Sequence, residues 1–409
     1  MVLNYIWVFF FVVAFIVGIV KYGVDGDATI FSKLITGIFD GAKNGFEISL
    51  GLTGIMTLWL GLMNVGERAG VIAIMTRLVS PFFSRLFPEV PKNHPAMGAM
   101  LMNFSANALG LDNAATPFGL KAMQSLQELN PDKDTASNAQ IMFLVLNTAG
   151  LLLIPVSVMA IRAQSGAANP ADIFIPTLLT TCFGLLTGII VVSIFQRINL
   201  FHPIILAYLA VAGLLVAGII SYFGSLPQDQ INTVSTAVGS FILLLVIISF
   251  VGLALVRKVN AYDAFIEGAK GGFDVAIRII PYLVAILASI GAFRASGALD
   301  FLVQGLGTLI GALGIDTDFV PALPVALMVP LSGSGARGMM VNVINEYGPD
   351  SFVGHVASTL GSTETTFYIL AVYFGSVGIK KTRYAVICGL LADLGGITAG
   401  IIINYIFFH

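Results

Sequence analysis

The sequence predicts an all-α polytopic membrane protein: two internal repeats, with discontinuous, re-entrant helices meeting at a midplane site, joined by a connector helix. Three observations carry that prediction. The 409 residues are 57% apolar and only 10% charged, with a mean hydropathy of +0.93, whereas soluble domains carry about 25% charged residues. Several apolar runs reach the ~20 residues that a helix needs to cross the hydrocarbon core. A distinctive octapeptide also occurs twice. The composition excludes a soluble chain, a disordered one, a collagen-like fibre and a disulfide scaffold. Cys182 and Cys388 lie in apolar runs and read as small hydrophobes. A net charge of −2 without a Lys/Arg-rich tract points to no nucleic-acid partner. His94, His202, His355 and His409 show no metal-ligand spacing, so no metal site is expected.

In chain order the spans are Val2 to Val20, Phe46 to Val65, Ile141 to Ile161, Ile173 to Phe195, His202 to Phe223, Val234 to Val256, Phe273 to Phe293 and Tyr384 to Phe407. The first lacks a basic leader and a small-residue cleavage site, and it reads as a retained helix. Ile30 to Phe46, Val71 to Phe87 and Tyr262 to Phe273 mix aromatic, basic and glycine residues, which predicts helices lying in the headgroup plane. Pro95 to Leu129, Pro321 to Tyr347 and Val353 to Ser376 are apolar but broken by Gly, Pro and hydroxyl residues. Broken backbone at membrane depth persists only when buried in protein or lining a wet cavity, and such segments in two halves point to a transporter's binding site.

Phe39-Asp-Gly-Ala-Lys-Asn-Gly-Phe46 recurs as Ile266-Glu-Gly-Ala-Lys-Gly-Gly-Phe273. The same offset pairs Gly70 with Gly297 and carries Pro95 to Leu109 onto the Pro321 to Arg337 region. Leu146-Asn-Thr-Ala-Gly150 lines up loosely with Leu360-Gly-Ser-Thr-Glu364 at a shorter offset. His202 to Phe223 has no counterpart and reads as the connector. Residues 1–200 are therefore expected to form the first repeat, and 201–409 the connector plus the second.

An ionisable group at the bilayer centre costs roughly 2.5–3.5 kcal/mol on insertion scales and is a functional candidate by default. Asp112, Arg337, Glu364 and Asp393 fit that description. Ser332-Gly-Ser-Gly-Ala-Arg-Gly338 is expected to open a helix at Ala336. Its free N–H groups and positive end, with Ser332, Ser334 and Arg337, suit a carboxylate or phosphate. The alternative is that Arg337 pairs with Glu364 only to hold two broken helices together. The run also matches G-x-G-x-x-G, but it lacks the strand–turn–helix context and distal acidic residue of a dinucleotide site. In the first copy Asn103, Ser105, Asn107, Asp112 and Asn113 offer amides, a hydroxyl and a carboxylate to a polar solute. Asp112 equally reads as the cap of a helix starting near Ala114. Glu364, among Ser362, Thr363, Thr365 and Thr366, can carry a proton or help hold Na⁺. Asp393 reads as an isolated packing group, and Asn147 and Thr148 as helix–helix glue. No G-x-S-x-G, H-E-x-x-H or P-loop occurs, and no enzyme is expected.

With these residues in hand, the chain resembles the two bacterial spore maturation proteins, A and B, fused. Asn107-Ala-Leu-Gly-Leu-Asp-Asn-Ala-Ala-Thr-Pro-Phe-Gly-Leu-Lys-Ala-Met123 is similar to protein A. Pro330-Leu-Ser-Gly-Ser-Gly-Ala-Arg-Gly338 and Gly361-Ser-Thr-Glu-Thr-Thr-Phe-Tyr-Ile-Leu-Ala-Val-Tyr-Phe-Gly375 are similar to protein B. The resemblance implies one nucleoside-recognition, or gate, domain in each half and a bacterial inner-membrane location. Similar domains occur in concentrative nucleoside transporters, in the permease of the bacterial ferrous iron transporter and in a spore dipicolinate transporter.

The function expected is ion-coupled secondary transport of a small polar organic solute that is nucleoside-, amino-acid- or dicarboxylate-like, with an anion favoured. Asn103, Ser105, Asn107, Asp112 and Asn113 would bind it from the first copy, and Ser332, Ser334 and Arg337 from the second. Thr363, Glu364 and Thr365 would take the coupling ion, Na⁺ or H⁺, and no other cofactor is expected. The competing expectation is a non-transporting membrane scaffold for envelope or spore maturation. The expected partners are the solute and the lipid bilayer, and a homo-oligomer is left open.

Overall fold

The computed structural model describes residues 2–91, 93–110 and 112–409, with the backbone alone at 112–114 and at a few other helical positions. Among these residues the regular structure is helical and no strand forms. The first half carries α1 (Val2–Val20), α2 (Ile30–Arg68), α3 (Val71–Leu86), α4 (Pro95–Ala108), α5 (Asp112–Leu129), α6 (Asn138–Thr148), α7 (Val156–Gln164) and α8 (Phe174–Gln196). The second carries α9 (Pro203–Gly224), α10 (Gln228–Val256), α11 (Ala261–Ala295), α12 (Ala298–Ala312), α13 (Leu323–Met328), α14 (Gly333–Tyr347), α15 (Phe352–Leu360), α16 (Thr366–Ser376) and α17 (Ala385–Phe408). Two compact units form, and each draws on both halves of the sequence. One holds Met1–Trp59, Ser157–Pro170 and Ala269–Ser362; the other holds Leu60–Val156, Ala171–Gly268 and Thr363–His409.

Among the described residues, six helices are long and apolar enough to cross a membrane: Trp7–Asp25, Ile30–Arg68, Phe174–Gln196, Pro203–Phe223, Thr236–Val256 and Ala385–Phe408. Leu283–Ala295 with Ala298–Ala312, bent by 73°, adds a seventh if the pair counts as one span. The expected span Ile141 to Ile161 is corrected. Helix α6 stops at Thr148 and α7 begins at Val156, with the chain unwound between them. Gly150 and Pro155 account for the break, since glycine weakens a helix and proline lacks the N–H that would continue it.

Two of the three segments expected as separate helices in the headgroup plane are also corrected, while Val71 to Phe87 forms the separate helix α3. Ile30 to Phe46 belongs to the 39-residue α2, and Tyr262 to Phe273 to the 35-residue α11. At ~1.5 Å per residue α2 is roughly 58 Å long, well beyond a ~30 Å hydrocarbon core. Glycine does not break these helices because they pack through it. In the first unit a Cβ on Gly37 would stand 2.6 Å from the Gly291 carbonyl oxygen, and one on Gly45 would stand 2.9 Å from Val284 Cα. One on Gly41 would overlap the Leu287 carbonyl. In the second unit Gly61 meets the Phe265 ring, and Asn64 Nδ2 donates to the Ala264 carbonyl at 2.6 Å. Small residues four apart let two helix backbones approach closely. The duplicated octapeptide supplies Gly41, Gly45 and Gly268 to these seams, so the repeat has a packing function.

Gly41→Ala is therefore expected to lower the melting temperature of detergent-purified protein by several degrees. The overlap is with backbone, and overpacking costs about 1–3 kcal/mol. Gly54→Ala, on the same helix, has nothing within 4 Å of the new methyl group and is expected to leave melting unchanged or slightly raised.

Candidate functional site

In the unit that holds Leu60–Val156, two helix breaks of the first half lie against each other. After α4 ends at Ala108, Gly110 turns the chain at φ +73°, and α5 starts at Asp112. The backbone freed between α6 and α7 finds partners around that turn. Leu153 N donates to the Ala108 carbonyl at 2.8 Å, and Leu152 N donates to Thr181 Oγ1 on α8 at 3.3 Å. A Cβ on Gly110 would lie 3.1 Å from the Ile154 carbonyl oxygen. Both the left-handed conformation and the close approach call for glycine there.

Polar side chains gather beside these breaks. Asn103 Nδ2 donates to the Ala115 carbonyl at 2.8 Å and lies 3.3 Å from Tyr373 Oη. Asn107 Nδ2 donates to Asn147 Oδ1 at 2.7 Å, and the Tyr373 hydroxyl donates to the same oxygen at 3.4 Å. Asn147 Nδ2 in turn donates to the Phe143 carbonyl at 2.8 Å. Asn103 and Asn147 are buried and Asn107 half-buried. Ser105, also buried, has its hydroxyl 3.5 Å from that of Thr76. Asn103 Oδ1 and Thr148 Oγ1 are buried with no hydrogen-bond partner among the described residues, a condition that costs about 1–3 kcal/mol per group.

Glu364 reaches the same region. A Cβ on Gly150 would lie 3.3 Å from Glu364 Cγ. The stretches around Gly150 and Glu364, loosely paired in sequence, thus sit side by side. Glu364 and Thr363 are half-buried and Thr365 is buried, occupying the N-cap position of α16. The structure therefore groups Asn103, Ser105, Asn107, Thr363, Glu364 and Thr365 in one unit. The side chains of Asp112 and Asn113 lie outside the described residues.

The serine–arginine turn belongs to the other unit. Its helix starts at Gly333, earlier than the expected Ala336, because Ser332 is the N-cap. Gly335 N donates to Ser332 Oγ at 3.0 Å, and Ala336 N to the Ser332 carbonyl at 2.8 Å. Ser332 Oγ lies 3.2 Å from Ser334 Oγ. Gly335 packs on Met328, and a Cβ on Gly338 would stand 2.6 Å from Ile286 Cγ2. Arg337, the fifth residue of α14 and half-buried, makes no hydrogen bond or ion pair with the described residues of its unit. Among the described residues of that unit, this cation stands unpaired near the positive end of α14.

One residue of the polar cluster escaped the sequence reading: Tyr373 lies in an apolar helix where only its hydroxyl signals a polar role. Asn147, expected as helix–helix glue, does link α6 to α4 and α16. A third polar residue, Arg162 in the first unit, is wholly buried, and both of its terminal guanidinium nitrogens are engaged, while Nε has no hydrogen-bond partner among the described residues. It donates to the Pro349 carbonyl at 2.6 Å, to Ser358 Oγ at 3.3 Å and to Asp350 Oδ1 at 3.3 Å, with His355 Nε2 3.4 Å away. That set fastens α7 to the start of α15.

Residues 49–165 and 276–380 match the Gate family, described as nucleoside recognition. The chain belongs to this family. Over 154 residues it is 51% identical to spore maturation protein B of Bacillus subtilis strain 168, covering 37% of this chain and 85% of that protein. Over another alignment of 154 residues it is 44% identical to spore maturation protein A of the same strain, covering 38% of this chain and 79% of that protein. Similarity to both in one chain fits a fusion of an A-like and a B-like half. The first Gate region contains Asn103, Asn107 and Asn147; the second contains the serine–arginine turn, Glu364 and Tyr373. Helix α17 follows both.

Asn147 is the acceptor on which two of these groups depend. Asn147→Ala is expected to destabilise the protein by about 1–3 kcal/mol, because Asn107 and the Tyr373 hydroxyl lose their acceptor. Tyr373→Phe removes only long bonds and is expected to cost about 0.5–1.5 kcal/mol. Thermal melting of the two variants checks the order.

Proposed function

We propose that this Gate protein is a bacterial inner-membrane, ion-coupled secondary transporter of a small polar organic solute, with an anion favoured. The observation that carries the reading is the packing of helix breaks in one unit. The α4–α5 break, the α6–α7 break and the segment carrying Glu364 surround amide and hydroxyl groups. Asn103 and Thr148 there keep oxygen atoms that have no partner among the described residues. Buried polar atoms left unsatisfied at membrane depth are costly, and a scaffold gains nothing from them. A solute that donates hydrogen bonds to them would offset that cost.

In this reading Asn103, Ser105 and Asn107, with Asp112 and Asn113, bind the polar part of the solute. Arg337 and Ser334, at the start of α14, bind a carboxylate or phosphate. Ser332 contributes less directly, since its hydroxyl caps the helix. Thr363, Glu364 and Thr365 take the coupling ion, and alternating access comes from one repeat moving against the other. The family's description as nucleoside recognition supports nucleosides as one solute class to test beside amino acids and dicarboxylates.

Purified protein screened against these three classes is expected to melt higher with one of them, since a ligand at a hundred times its Kd adds about 2.7 kcal/mol. Arg337→Ala is expected to abolish that shift and uptake into proteoliposomes while the unliganded protein melts normally. Uniform melting in every compound, together with no uptake, would refute the transporter.

A further inference from the structure

Asp393 lies inside α17, one of the helices able to cross a membrane. It is 6% exposed, and its Oδ2 accepts a hydrogen bond from Thr366 Oγ1 at 2.6 Å. Among the described residues no other side chain bonds or pairs with it. Helix α17 packs against α6, α8, α9, α10 and α16. The titratable residues on those helices are Cys182 on α8, Tyr208 and Tyr222 on α9, Asp229 in the first turn of α10, and Tyr368 and Tyr373 on α16. Helix α17 adds Cys388 and Tyr405. None is a lysine, arginine or histidine. An ionised Asp393 would therefore hold a charge at membrane depth against one hydroxyl donor and no cation, which such an environment disfavours strongly.

We propose that Asp393 is a proton-binding site. A proton from water forms an O–H bond on the free Oδ1, giving the neutral acid, while Oδ2 keeps its bond from Thr366. The site is wired to the helix breaks described above. Gly389, one turn earlier on α17, is bordered by Thr366 and by Thr148: a Cβ there would lie 3.1 Å from Thr366 Oγ1 and 3.6 Å from Thr148 Cγ2. Thr366 is the first residue of α16, two positions after Glu364. Gaining or losing the proton changes the charge on the oxygen to which Thr366 donates, and so the strength of that bond, at the point where α16 begins. Coupling of that proton to solute movement rests on the transporter reading, whereas its binding to Asp393 does not.

Infrared spectroscopy of the purified full-length protein tests the binding directly. At neutral pH a carboxylic-acid C=O band is expected that vanishes in Asp393→Asn and moves to higher frequency in Thr366→Val, where the acid loses its hydrogen bond. Thr366→Val keeps the test open should Asp393→Asn fold poorly. Absence of the band, a band unmoved by either substitution, or one abolished by adding sodium would overturn the proposal. Uptake driven by an imposed pH gradient in proteoliposomes separates the two claims. Loss of that drive in Asp393→Asn supports coupling, while an intact band without uptake in any variant refutes the transporter and leaves the proton site standing.

Discussion

A helix that stops at membrane depth leaves backbone N–H and C=O groups with no water to bond. This chain stops helices repeatedly inside apolar sequence, and each stop needs a partner within the protein. The α6–α7 break finds one in Ala108, the last residue of α4, and another in Thr181 on α8. The α13–α14 break is closed by Ser332, whose hydroxyl and carbonyl both accept from the next turn. Because breaks satisfy one another, they come to lie together, and the asparagines flanking them converge as a consequence. The polar cluster of Asn103, Asn107, Asn147 and Tyr373 is thus tied to the same constraint that positions the helices.

That constraint explains which parts were legible in the sequence. The break after Ala108, the serine–glycine turn at Ser332 and the interruption at Gly361 to Thr365 were visible, because Asn, Gly, Ser and Thr cluster where apolar residues should run on. The break after Thr148 was read through, because Leu151-Leu-Leu-Ile154 keeps the hydropathy high. The partners of that break, Ala108 and Thr181, are distant in sequence, and no local pattern announces them. Glycine misled in the opposite direction. At Gly37, Gly41 and Gly45, mixed with aromatic and basic residues, it suggested a separate helix in the headgroup plane, yet spacing of four on a helix also describes a seam for a second helix. Tyr373 joins the polar cluster only through contacts more than two hundred positions apart, with Asn103 and Asn147, whereas Asn147 also meets Asn107, forty positions away.

Burial of a polar group says little about its purpose until its partners are counted. Arg162 is wholly buried, and by burial alone it would rank first as a functional cation. Its guanidinium meets a carbonyl, a hydroxyl and a carboxylate, and those bonds fasten α7 to the segment leading into α15. Breaking such a set by removing one partner typically costs 3–5 kcal/mol, roughly what a structural lock should cost. Arg337 is less buried and has no such partners among the described residues of its unit. Asp393 is nearly as buried as Arg162 and has a single hydroxyl. A chain that can build the Arg162 clasp has the means to neutralise a charge in lipid. Among the described residues Arg337 and Asp393 have no such clasp, and on the proposed reading a solute anion and a proton, groups from outside the fold, would meet their demands.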